Sequence, residues 1–247
     1  MLRRILILGG TGEARLAAQA LVEEGYHVVT SLAGVTQNPH LPAGETRVGG
    51  FGGPEGLATY LATKEIELVV DATHPFALQI SQHASAACRE ADVALLRLER
   101  PAWQQPGDGV WVSVSDFTSA LAAVPDGAVV LLTTGRKNLS ALASRPRLRG
   151  LVRCIEPPAL PLPEGWSLLQ QRPPFTFDQE TALMKEGRIT QLVTKNAGGQ
   201  STAAKLHAAM HLGINIIMIE RPLKPPDRTV SSVQELAQAV GRFAFSG

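Results

Sequence analysis

Along this chain, short runs of consecutive apolar residues alternate with stretches in which apolar residues recur every three or four positions. The runs read as strands buried on both faces, and the periodic stretches as helices that cover them. Leu2–Leu8 is read as such a run, apolar from Ile5 onward after Arg3 and Arg4, and is followed by glycines. Glu13–Glu24 carries Leu16, Ala17, Ala20 and Leu21 at helical spacing and stops at Gly25. Tyr26–Ser31 predicts the next strand, so the chain opens on a βαβ unit. Leu57–Lys64 predicts a short helix, Leu68–Asp71 a buried strand, Ala77–Ala91 a helix and Val93–Leu98 a strand. Residues 99–110, ERPAWQQPGDGV, interrupt the pattern with Pro, Gly and Gln.

The alternation then resumes. Trp111–Val114 predicts a strand, and Ser115 or Asp116 caps a helix reaching about Val124. Ala128–Thr133 predicts a strand, Asn138–Ala143 a helix and Leu151–Ile155 a strand, followed by a proline-rich loop, Pro157–Pro163. Phe177–Glu186 predicts a helix, Ile189–Thr194 a strand, Ser201–Leu212 a helix and Ile214–Ile219 a strand. Ser231 or Ser232 caps a last helix ending near Phe245. The expectation is an α/β protein of two doubly wound, Rossmann-like parallel-sheet domains with a cleft between them. Residues 1–98 form the dinucleotide-binding domain, 99–110 the linker and 111–247 the substrate domain.

Composition narrows the partners. The 247 residues are 45% hydrophobic and carry a formal net charge of +1, so a sizeable core is expected and no global field draws nucleic acid or a membrane. Cys88 and Cys154 have no metal-ligand spacing and read as free thiols in a reducing compartment. With no signal peptide and no apolar run long enough for a bilayer, a cytoplasmic protein is expected.

The first candidate chemistry is ILILGGTGEAR at 5–15. Gly9, Gly10 and Gly12 allow backbone N–H groups to approach a pyrophosphate where a strand passes into a helix, and Thr11 adds a hydroxyl. The position where the usual fingerprint has its third small residue is Arg15, which must point outward. The second strand ends in VVTSLAG with no acid for a ribose 2′-hydroxyl. Thr30 and Ser31 can instead donate to a 2′-phosphate, with Arg15 as counter-ion, which favours NADPH over NADH. Glu13 and Thr73 complete the cofactor-side candidates.

Three further loops follow buried strands. In Asp71-Ala72-Thr73-His74-Pro75-Phe76-Ala77, His74 can position substrate, donate a proton or cover the cofactor. Thr133-Thr134-Gly135-Arg136-Lys137-Asn138 combines hydroxyls, glycine and two cations as an anion site without Walker spacing. Thr194-Lys195-Asn196-Ala197-Gly198-Gly199 leads into a helix bearing Lys205. Tyr60 and Lys64 match a dehydrogenase YxxxK but sit on the wrong helix. His207 and His211 share a helix face without a third ligand, so no metal site is expected. There is no GxSxG elbow.

Together these motifs resemble the precorrin-6A reductases of cobalamin biosynthesis. The resemblance is carried by ILILGGTGEAR, VVDATHPFA at 69–77, LLTTGRKNL at 131–139, and VTKNAGG, AAKLHAA and IMIERP between 193 and 222, in order over nearly the whole chain. Residues 157–175 match none of these. The resemblance implies two Rossmann-like domains and NADPH-dependent hydride transfer to one double bond of a ring-contracted macrocycle near ring D. The product would be precorrin-6B or its cobalt form. A carboxylate-fringed tetrapyrrole needs scattered cations, and Arg136, Lys137, Lys195, Arg221 and Lys224 are the candidates. Neighbouring enzymes of the cobalamin pathway are candidate partners. His74 and Lys195 are the candidate catalytic residues. Lys195 is expected to pair with a substrate carboxylate and His74 to shape the cofactor pocket, with proton donation by His74 as the alternative. Two other readings stay open: a non-catalytic NADP-sensing module, and an NADPH-linked oxidoreductase of a smaller substrate.

Overall fold

The computed structural model describes residues 3–34, 41–107 and 111–244. In chain order the described residues form β1 (Arg4–Leu8), α1 (Gly12–Glu23), β2 (His27–Leu32), β3 (Glu45–Val48), α2 (Pro54–Thr63), β4 (Leu68–Asp71), α3 (Leu78–Glu90) and β5 (Ala94–Leu98). There follow β6 (Trp111–Val114), α4 (Phe117–Ala123), β7 (Val129–Leu132), β8 (Arg149–Cys154), β9 (Trp166–Gln170), α5 (Phe177–Glu186), β10 (Gln191–Lys195), α6 (Ala204–His211), β11 (Asn215–Ile219), β12 (Thr229–Val230) and α7 (Val233–Ala244). The chain divides into two compact units, one of Met1–Pro101 with Pro222–Gly247, the other of Ala102–Arg221.

The first unit is a six-stranded parallel sheet in the order β12-β5-β4-β1-β2-β3. Strand side chains alternate between faces, so the continuous apolar runs feed two cores. Ile5, Ile7, Val28, Val70 and Leu96 meet Ala14, Ala17, Ala18 and Leu21 of α1 and Leu236, Ala239 and Val240 of α7. Leu6, Leu8, Val29 and Val69 meet Leu57 and Leu61 of α2 and Ala84, Ala87 and Cys88 of α3. The second unit is a parallel sheet in the order β6-β11-β10-β7-β8-β9. There Leu131, Leu192, Ile216 and Met218 pack against Met184 of α5 and Leu206, Ala208 and Ala209 of α6. The predicted α/β class and the two parallel sheets are what the chain forms.

The boundaries differ in one major way. The expected substrate domain 111–247 is too long at its carboxyl end, because the chain returns to the first unit after Arg221. β12 adds to β5 with Thr229 opposite Arg97 and Val230 opposite Leu98. The backbone N–H groups of Arg97 and Glu99 donate to Arg228 and Val230 carbonyls at 2.8 and 2.9 Å. α7 then lays Val233, Leu236, Ala239, Val240 and Phe243 against the α1 side of the core. The division between Pro101 and Ala102 falls inside the expected linker, part of which (108–110) lies outside the described residues, as do Leu2 and Phe245.

Three strands were not expected. β3, β9 and β12 are edge or terminal strands, and β3 (ETRV) has one apolar side chain, the exposed Val48. The helix expected over Asn138–Ala143 is a 3-10 turn, Leu139–Ser144, entered by Asn138 in the left-handed region at φ 64°. Asn tolerates that region better than most residues. Likewise, Ser201–Leu212 divides into a 3-10 turn at Gln200–Thr202 and α6.

The returning segment is therefore part of the first unit's core. Leu236 is fully buried there, and Leu236→Ala is expected to destabilise the protein by about 2–5 kcal/mol, read as a lower urea midpoint. A change below about 0.5 kcal/mol would mean that α7 does not hold that core together.

Candidate active site

The first unit presents its loops at the carboxyl ends of β1, β2 and β4, where open parallel sheets take ligands. After β1 the Gly9 N–H donates to the Ser31 carbonyl at 2.9 Å. A Cβ at Gly9 would stand 2.8 Å from the Thr30 methyl, so the turn must be glycine to lie this close to β2. Gly10 has φ +106°, and a Cβ on Gly10 or Gly12 would meet nothing within 4 Å. The turn is thus backbone-lined and open at the start of α1, which suits a pyrophosphate at a helix N-terminus. Thr11 caps that helix: its Oγ1 accepts from the Ala14 N–H at 3.0 Å and donates to the Ala72 carbonyl at 2.8 Å. Its hydroxyl proton is already used, contrary to the expectation that it serves as a ligand donor. Glu13 pairs with Arg100 at 2.7 Å, and Arg15 is exposed on the first turns of α1.

The end of β2 also differs from the expectation. Thr30 is 1% exposed, and its Oγ1 is enclosed beneath the glycine turn, so it does not face a ligand. Ser31 lies opposite Arg47 of β3 and accepts from its Nη1 at 2.9 Å. Arg47 also donates to the Gly49 and Gly50 carbonyls at 2.9 and 3.1 Å, and its guanidinium lies 3.9 Å from the Phe51 ring centroid.

β4 ends on the buried Asp71, whose carboxylate accepts from the Thr73 N–H and Oγ1 (3.2 and 2.6 Å) and from Ser81 Oγ (2.6 Å). Thr73 is therefore held by Asp71, with its hydroxyl proton and backbone N–H both engaged. Arg97 Nε lies 3.5 Å from the same carboxylate, and its other nitrogens reach the Pro225 carbonyl at 2.7 Å and Asp227 at 2.5 Å. Burial pushes the Cys88 thiol up to about 12, with Asp227 and Asp71 adding to the shift, so this cysteine is an inert core residue. His74 stands exposed at the tip of the loop, and its Nδ1 accepts from the Phe76 N–H at 3.2 Å. With Nδ1 as acceptor, the neutral ring carries its proton on Nε2.

In the second unit Lys195 ends β10. Burial holds its ammonium below the ordinary lysine value, and the charge of Lys137 adds to the shift. Lys137 and Arg136 are exposed on the loop after β7, where Arg136 donates to the Pro157 carbonyl at 3.1 Å and Gly135 has φ +83°. The loop after Lys195 is braced by the buried Asn196. Its side chain accepts from the Trp103 N–H (2.8 Å) and donates to the Trp103 carbonyl (3.2 Å) and Glu220 (3.1 Å). Arg221 donates to the Asn196 and Ala197 carbonyls at 2.8 and 3.1 Å, so two of its donors brace this loop. Lys224 pairs with Glu99 in the first unit at 2.9 Å and is not at the substrate loops. Lys205 is buried, donating to the Thr202 carbonyl at 3.0 Å with its Nζ 4.8 Å from the Trp103 ring.

The sequence model of the precorrin-6x reductases, CbiJ/CobK, matches residues 4–241. The chain belongs to this family. It is 46% identical over 240 residues to the precorrin-6A reductase of Rhodococcus erythropolis, covering 96% of both chains. It is 31% identical over 255 residues to the cobalt-precorrin-6A reductase of Priestia megaterium, covering 96% of this chain and 97% of that one. The solved structure of the CobK precorrin-6A reductase superposes with a TM-score of 0.92 at 39% identity, covering 98% of this chain and 97% of that one.

In this precorrin-6x reductase, Arg47 and the Asn196 brace were not among the expected site residues. The signal for Arg47 was the stretch Arg47-Val48-Gly49-Gly50-Phe51-Gly52-Gly53, a cation beside a second glycine-rich turn. For Asn196 no local signal existed, because its partner Trp103 is far away in the chain. No helix among the described residues is long and apolar enough to cross a membrane.

The buried pair Asp71–Arg97 beneath the loop bearing His74 gives a direct test. Arg97→Met leaves the Asp71 carboxylate uncompensated and is expected to cost about 3–5 kcal/mol in urea unfolding. Asp71→Asn combined with Arg97→Met should cost clearly less than the sum of the single changes, as expected for contacting partners. Strict additivity would show that the two do not act as a pair.

Proposed function

We propose that this chain reduces precorrin-6A to precorrin-6B with NADPH in cobalamin biosynthesis, as a cytoplasmic oxidoreductase acting on a double bond of the macrocycle. The observation that carries the substrate is the whole-length similarity to relatives named precorrin-6A reductase, at 46% identity. The metal-free macrocycle is preferred to its cobalt form because the cobalt-precorrin-6A reductase of Priestia megaterium stands at 31%.

The residues of the first unit fit a dinucleotide. Gly9, Gly10 and Gly12 leave backbone N–H groups accessible at the start of α1, with open space beside Gly10 and Gly12. Thr11 and Thr73 support that pocket from behind through their hydrogen bonds to Ala72 and Asp71. Arg15 offers charge to the pyrophosphate, and Glu13 holds Arg100 beside the turn. The end of β2 has Ser31 and a neighbouring arginine where an NAD site has an acid, which favours NADPH. When bound, NADPH supplies the hydride.

The second unit supplies the charges for a carboxylate-fringed substrate. Arg136 and Lys137 are exposed and suit peripheral carboxylates. Arg221 acts by holding the loop that carries Lys195. The reduction adds a hydride to one carbon of the double bond and a proton to the other. Lys195 is the better proton donor, because an ammonium with a lowered pKa gives up its proton more readily. His74 shapes the cofactor side of the site.

NADPH oxidation with purified protein tests the reading. Oxidation should depend on precorrin-6A, and the Kd for NADPH should be well below that for NADH; no turnover with either macrocycle would end it. Lys195→Met is expected to lower kcat by about 10²–10⁴-fold. In the wild type kcat should fall as pH rises through the lowered Lys195 pKa, and in the variant that alkaline limb should vanish. A raised KM with unchanged kcat would instead make Lys195 a carboxylate contact. His74→Ala should raise the KM for NADPH and leave kcat within a few-fold; a large, pH-dependent fall in kcat would make His74 the acid.

A further inference from the structure

Arg47 is a half-buried cation with no carboxylate partner among the described residues. Its surroundings hold it in one place. The guanidinium lies over Phe51 and within 5.2 Å of the Tyr60 ring centroid, and it donates to Ser31 Oγ and the Gly49 and Gly50 carbonyls. Nη1 makes two of these donations and Nη2 one, which leaves the Nε–H and one Nη2–H without a partner among the described residues. Holding a long charged side chain rigid costs side-chain entropy. Leaving its charge unpaired keeps it available to an incoming anion.

Its position names the anion. Arg47 is opposite Ser31, the same residue whose carbonyl accepts from Gly9 in the glycine turn. In a dinucleotide site of this kind, the adenosine ribose lies at the end of the second strand, and an arginine there accommodates a 2′-phosphate. A Cβ added to Gly49 or Gly50, whose carbonyls accept from the guanidinium, would meet nothing within 4 Å among the described residues, so this glycine turn is not covered by a packed side chain there. Arg15 lies instead on α1, at the pyrophosphate end, and that group is common to NADH and NADPH.

We propose that Arg47, rather than Arg15, is the residue that selects the 2′-phosphate of the cofactor. This rests on the proposed use of a nicotinamide dinucleotide by the first unit. Adenosine 2′,5′-bisphosphate and 5′-AMP differ only in the 2′-phosphate, so binding of each, measured by calorimetry on the full chain alongside NADPH and NADH, isolates the contact. Arg47→Ala should weaken 2′,5′-bisphosphate and NADPH about ten- to a hundredfold and change 5′-AMP and NADH by less than about threefold. Retained 5′-AMP binding also shows that the variant is folded. Arg47→Gln, which keeps a planar group over Phe51 without the charge, should lose the same selectivity. Arg15→Ala should weaken both dinucleotides by a common factor. If wild type binds NADPH tightly and Arg47→Ala loses both members of each pair equally, or neither, Arg47 is not the selector while the NADPH reading stands. If wild type binds neither dinucleotide, the reading and the proposal fall together.

Discussion

One buried carboxylate fixes much of the first unit. Asp71 is 1% exposed and gathers Thr73, Ser81 and Arg97 around it, and Arg97 extends the network to Pro225 and Asp227. A charge removed from water is tolerated only when paired and hydrogen-bonded. These contacts therefore hold the end of β4, the loop bearing His74, the first turn of α3, β5 and the returning segment before β12 in one arrangement. Thr11 joins the glycine turn to the same loop through the Ala72 carbonyl. The glycine turn and the loop bearing His74 are thus positioned by one network.

A division of labour follows. Several side chains that look like ligand donors in a linear motif are used to hold loops: Thr11 and Thr73 bond to the loop backbone and Asp71, and Thr30 lies under Gly9. In the second unit, Asn196 and Arg221 do the same for the loop after Lys195. Among the described residues, what stays outward on these loops includes the open glycine turn, His74 and the cations Arg15, Arg136 and Lys137. A site built this way has its geometry set before the ligand arrives, which lowers the ordering cost of binding.

The sequence pattern was informative wherever an element is buried on both faces. β1, β4, β7 and β11 carry apolar runs because sheet neighbours and helices cover them, and β10 keeps Leu192 and Val193 at its centre for the same reason. β3 and β12 leave little pattern because edge strands need little apolar side chain and β12 is two residues long, whereas β9 has apolar residues but buries only Trp166 and follows a proline-rich loop. The enclosure of Thr30 is not legible in the sequence, because a strand-end threonine has two faces and only the packed turn decides which one it presents. Arg47 was missed for a related reason: its significance comes from the residue opposite it on β2, and pairing register is not written locally.

The discontinuous first unit raises the question of how residues 222–244 find it after the second unit has intervened. An open loop of that length would carry a closure cost growing slowly, by about 0.6 kcal/mol per doubling. Once folded, the second unit is a much shorter connection. Asn196 bonds to the Trp103 backbone just after the chain enters and, through its own carbonyl, to Arg221 just before the chain leaves. Entry and exit are therefore held at one residue. On the first-unit side, Glu99 pairs with Lys224, and β5 pairs with β12. The two connecting segments are fastened in each unit by its own contacts, so a two-residue strand suffices to complete the sheet. The Asn196 loop thus closes the insertion directly after the strand that ends on Lys195, which is a physical reason for so many hydrogen bonds to converge on one buried amide.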